Sequence, residues 1–134
     1  MSGLLHRRVY AGNATVLLCH QVDAAYWQEW TLFGLPGGVQ LFVLLNAPIV
    51  LLVLHGAVAL GLGRRSGDVL SAVLAAAGLF AVVFHGVHLL LGDDAFRLPV
   101  SLGLLAATAV LSPWQAALAG RALRSRARAP VAPA

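Results

Sequence analysis

Four long apolar runs dominate the chain, separated by short polar or turn-forming segments. A helical bilayer span takes roughly 20 predominantly apolar residues. The runs predict an all-α protein, a bundle of four transmembrane helices over about 9–27, 39–62, 68–91 and 99–123. The breaks carry turn chemistry: Leu35-Pro36-Gly37-Gly38 after the first run, Gly61 and Gly63 after the second, Gly92-Asp93-Asp94 after the third. The first run is the least apolar, holding Asn13, His20, Gln21 and Asp23. Pro48, two residues after Asn46, predicts a kink in the second helix.

Composition turns this pattern into a compartment. Of 134 residues, 60% are apolar and 10% charged, against about 25% charged in soluble domains. A soluble fold would leave most of its surface as hydrocarbon, so the bilayer is the expected partner. Residues 1–123 read as one membrane domain and 124–134 as a disordered basic tail. The N-terminus reads as a span rather than a cleaved signal, because its apolar run contains His20 and Asp23 and no small-residue cleavage site follows.

The net charge of +4 does not point to nucleic acid. All nine cations are arginines, and eight flank the apolar runs: Arg7, Arg8, Arg64, Arg65, Arg121, Arg124, Arg126 and Arg128. This positive-inside pattern places both termini and the Arg64-Arg65 loop in the cytoplasm, as in a bacterial cytoplasmic membrane protein. The basic tail suits anionic headgroups. The lone Cys19 is expected to be a small buried hydrophobe.

Ionisable groups at membrane depth are costly and mark functional sites. At about 1.5 Å per residue, His20, Asp23, His85, His88 and Asn46 all fall in the outer half of their spans, within roughly 12 Å of the midplane. At about 100° per residue, Asn13, His20 and Asp23 share one face of the first helix. Ser71, Gly78, His85 and His88 share one of the third, and Ser101, Thr108, Ser112 and Gln115 one of the fourth. In lipid such faces should point inward. His55 lies toward the cytoplasm on the far side from Asn46 and is expected to bond Asn13; His6 is expected to be solvated.

His-x-x-Asp (His20, Asp23) and His-x-x-His (His85, His88) each place two ligands one turn apart. Two such pairs on facing helices suit a divalent metal: zinc, or non-haem iron or manganese. Glu29 and Asn46 are second choices. Haem is disfavoured, because His-x-x-His on one helix does not offer two trans axial ligands. Without metal, His20 and Asp23 would be the catalytic acid/base pair on a lipophilic substrate. A third reading keeps the polar groups purely for helix packing.

The segment His20-Gln21-Val22-Asp23-Ala24, followed by Glu29-Trp30, resembles the signature of a family of short bacterial four-helix membrane proteins of unknown function. The resemblance extends to Phe84-His85-Gly86-Val87-His88, Asp93-Asp94-Ala95-Phe96 and Ser101, covering most of residues 13 to 120. Gln21 stands where that family carries Glu. The family implies the helical membrane fold and the polar cluster, and no activity.

The sequence therefore predicts a small integral membrane protein with an outward-facing His/Asp site, metal-binding, either enzymatic on a lipophilic substrate or handling metal. The alternatives are a non-catalytic accessory subunit of a larger membrane complex, or a small dimeric proton-coupled or metal carrier built on a helix broken at Asn46-Ala47-Pro48.

Overall fold

The computed structural model describes residues 2–128. They form four helices, α1 (Ser2–Tyr26), α2 (Gly38–Gly61), α3 (Arg65–Leu90) and α4 (Pro99–Arg128), with a short 3-10 turn at Glu29–Thr31 and no strand among them. Short turns force neighbouring helices antiparallel. Between α2 and α3, Gly63 takes φ 67°. Its N–H donates to the Leu60 carbonyl, and the Arg64 N–H donates to that of Ala59 at 2.9 Å. This Schellman-type closure needs a left-handed residue that glycine supplies without strain.

The helices occupy the corners of a square. α4 packs on α3 and α1, α2 packs on α3 and α1, the α1–α3 diagonal is sparsely bridged, and α2 and α4 do not meet among the described residues. A small apolar core of Tyr10, Ala14, Leu17, Val53, Leu60 and Leu74 joins α1, α2 and α3. Gly56 leaves room for the Tyr10 ring, whose hydroxyl donates to the Val53 carbonyl at 2.7 Å.

Polarity runs inside out. His6, Asn13, His20, Glu29, Asp68, Ser71, His85, Ser101, Thr108, Ser112 and Gln115 are all buried, while Leu44, Leu51, Phe80, Leu90 and Val110 are exposed. A bundle solvated by lipid requires this arrangement, since unpaired polar groups in hydrocarbon cost several kcal/mol. Among the described residues α2, α3 and α4 are long and apolar enough to cross a membrane. Of the four spans expected, α1 is the exception. It has the length, but its arginines and inward polar residues lower its hydropathy; α3 and α4 cover the inward polar residues His6, Asn13 and His20.

The inward polar faces join into one network at the arginine-rich half. Asn13 Nδ2 donates to Gln115 Oε1 at 2.8 Å and to Ser112 Oγ at 3.2 Å. Gln115 Nε2 donates to the Ser71 carbonyl at 2.8 Å, and His6 Nε2 lies 2.9 Å from Ser71 Oγ. Arg126 clasps Asp68 Oδ2 and the Gly63 carbonyl, each at 2.6 Å. Gln115→Leu would leave Asn13 and Ser71 partly unsatisfied in the interior. It is expected to cost about 1–3 kcal/mol, read as a lowered melting temperature in detergent. An unchanged melting temperature would show the network to be energetically idle.

Several local expectations change. α1 begins at Ser2 rather than near Val9, because His6 is buried against Ser71 and Asp68 instead of solvated. Asn13 bonds α4, so it is not the partner of His55, which is exposed on α2. Cys19 is exposed rather than buried. α2 is continuous through Pro48. Asn46 Nδ2 donates to the Phe42 carbonyl at 2.9 Å, and the helix break expected of a carrier is not seen. Residues 124–128 are helical rather than tail, since alanine and arginine favour helix and Arg126 has two acceptors to hold. The remainder of the expected tail lies outside the described residues.

Candidate functional site

His20 of α1 and His85 of α3 meet across the bundle, with Nε2 atoms 3.1 Å apart. Both rings are buried. Glu29 joins them from the loop after α1, its Oε1 3.1 Å from His85 Nε2. One ligand atom from each of the three lies within 4.8 Å of the other two. Two histidines separated by 65 residues meet because both sit on the inward face at similar depth.

Two backbone exceptions build the rest. Gln28 adopts φ 51°, and Phe96 adopts φ 63°, the two positive-φ residues other than glycine among those described. Such conformations cost about 1–3 kcal/mol and cluster where function demands them. Gln28 reverses the chain so that Glu29 turns into the bundle, although it lies in the loop after α1. Phe96, 1% exposed, drives its ring against the centre, with centroids 4.1 Å from His85 and 5.7 Å from His20. The Trp27 ring backs Phe96 at 6.0 Å.

The other expected site residues take different partners. Asp23 does not bond His20; its Oδ1 accepts from the Ser101 hydroxyl at 2.9 Å. Ser101 also receives the Trp27 indole N–H at 3.3 Å. His88, one turn beyond His85, pairs with Asp93 in the following loop. Asn46 is engaged on its own helix and lines a cavity beside the trio. The group that forms is thus His20, Glu29 and His85, rather than the two one-turn pairs His20–Asp23 and His85–His88. Spacing along one helix shows which residues share a face, but not which of them finds a competing partner. Phe96 had no chemical signal of its own, apart from its place in the Asp93-Asp94-Ala95-Phe96 segment. At the arginine-rich end, beyond the apolar part of α1, burial holds His6 below its usual pKa, with the Asp68 carboxylate opposing.

The trio presents a proton-counting problem. Each imidazole Nε2 carries either one proton or one lone pair. His85 Nε2 faces both His20 Nε2 and Glu29 Oε1 at 3.1 Å, so a single proton there cannot serve both contacts well. Both Nδ1 atoms are buried and unpartnered among the described residues. A cation removes the conflict by accepting both imidazole lone pairs and a carboxylate oxygen together. Tetrahedral zinc with bonds of about 2.0–2.1 Å spaces its ligand atoms by about 3.4 Å, close to the two 3.1 Å separations here.

No curated protein and no solved structure matches this chain. A family profile covers residues 6–122, which takes in most of every helix and each member of the trio, and the chain belongs to that family of unknown function, DUF6713.

Proposed function

We propose that this is a small integral membrane protein whose centre is a divalent metal site held by His20, His85 and Glu29. The observation that carries the reading is the convergence of two buried imidazole nitrogens and a buried carboxylate on one point, in a geometry that protons alone serve poorly. Two nitrogens and one oxygen suit zinc, or non-haem iron or manganese, and leave a coordination position for substrate or water. The metal would polarise a bound oxygen or lower the pKa of a bound water. Asp23, held by Ser101 one turn above His20, is the nearby carboxylate proposed to take up or release a proton. The substrate class is lipophilic, because an apolar cavity adjoins the trio.

The arginine distribution supports a cytoplasmic location for both termini, with the trio in the outer half of a bacterial cytoplasmic membrane. Elemental analysis of protein purified in detergent without chelators tests the metal. About one zinc, iron or manganese per chain is the expected result for a single site with one open position. Protein that stays metal-free after incubation with each of these ions would overturn the reading.

A further inference from the structure

Between α1, α2 and α3, beside the trio, lies a cavity of about 300 Å³. Its walls are almost wholly apolar, including Phe42, Ile49 and Phe84, and His20 and Glu29 contribute at one end. Phe33, Leu45 and Phe80 on its rim are also exposed on the outer apolar surface of the bundle. The cavity therefore opens sideways, where acyl chains would lie, rather than only toward water.

Two polar atoms of the wall residues lack a partner, His20 Nδ1 and Asn46 Oδ1. Asn46 Oδ1 is buried and accepts no hydrogen bond. Its orientation follows from the Nδ2 bond to the Phe42 carbonyl, because turning the amide over would set its oxygen against that carbonyl oxygen. The wall thus offers an acceptor in need of a donor. A carboxylate ligand would bring only acceptors to Asn46 Oδ1. An alkane would leave Asn46 unsatisfied at a cost. At about 30 Å³ for each water-sized group, the volume holds roughly ten heavy atoms.

We infer that this cavity binds a neutral single-chain amphiphile of about ten heavy atoms, a medium-chain alcohol in chemical class. The chain lies among Phe42, Ile49 and Phe84, and the hydroxyl donates to Asn46 Oδ1. The inference rests on the proposed reading of a lipophilic substrate and assigns its class. Asn46 is then a specificity residue that separates hydroxylated chains from plain hydrocarbon.

The test is photolabelling of the full chain in lipid nanodiscs. The probes are a diazirine-bearing octanol and its alkane and carboxylate counterparts, with labelled residues mapped by mass spectrometry. Labelling by the alcohol is expected to concentrate on Leu45, Ile49 and Phe84 and to be displaced by plain octanol. Asn46→Leu should lower it roughly fivefold, the effect of one hydrogen bond, while alkane labelling holds or rises because the unsatisfied amide is gone. Ala81→Phe, which fills the cavity wall, should abolish it. Equal labelling by all three probes would overturn the inference, as would labelling spread over outer residues such as Leu51 and Val110. Repeating the experiment in His85→Ala separates the two proposals. Retained cavity labelling in a metal-free variant supports this site independently of the metal, and loss of labelling with cavity and fold intact would overturn it.

Discussion

His85→Ala is expected to strip the protein of its metal. His85 Nε2 is the shared vertex of the trio, 3.1 Å from both His20 Nε2 and Glu29 Oε1. Removing it leaves one imidazole and one carboxylate, and affinity should fall by a hundredfold or more, roughly the upper range for losing a supporting group. Because metal binds the folded state alone, the wild type should also lose thermal stability on chelation, whereas the variant should not respond. His88→Ala, whose imidazole pairs with Asp93, and His55→Ala, exposed on α2, should both keep the metal. The measurement is elemental content beside melting temperature with and without chelator. His85→Ala with a full metal complement would sink the assignment, and so would His88→Ala that loses as much.

The largest effect on folding is expected at Gly67. A Cβ there would lie 2.3 Å from the Leu60 nitrogen, 2.5 Å from its Cα and 2.6 Å from the Ala59 carbonyl carbon. These are backbone atoms of α2, which cannot swing aside as a flexible side chain can. Gly67→Ala must push α3 off α2 near the turn that joins them, at a cost of about 3 kcal/mol or more, the upper end for overpacking. Gly12→Ala is the matched control. Nothing lies within 4 Å of that Cβ, and alanine favours helix by about 0.5–1 kcal/mol. Thermal melts in one detergent compare the two. Equal melting temperatures would show that the bundle tolerates wider α2–α3 spacing.

Much of the fold was legible because lipid and helix geometry leave few options. The stripe Ser101, Thr108, Ser112 and Gln115 follows from an angular count, and all four residues are buried. His20 and His85 were placed at similar depth on inward faces, and they meet. What escaped the sequence depended on partner choice. Asp23 had equal claim to the centre by spacing, but Ser101 of α4 holds its carboxylate. His88 is drawn outward to Asp93. Glu29 ranked second because a loop carboxylate has no helical phase, and its inward turn depends on the left-handed Gln28. His6 reads as a solvated end residue by sequence, and the fold instead buries it against Ser71 and Asp68 of α3.

The inside-out square has a consequence for biogenesis. The polar face of α1, carrying Asn13 and Asp23, finds its partners on α4, which is synthesised after the other three helices. Until α4 emerges, α1 in hydrocarbon would hold these groups unsatisfied, so stable insertion of the first helix waits on completion of the last. α2 and α3 carry enough apolar surface to enter as a hairpin by themselves. The order of membrane commitment is therefore expected to depart from the order of translation, and a chain truncated before α4 should leave α1 outside the bilayer, open to proteolysis.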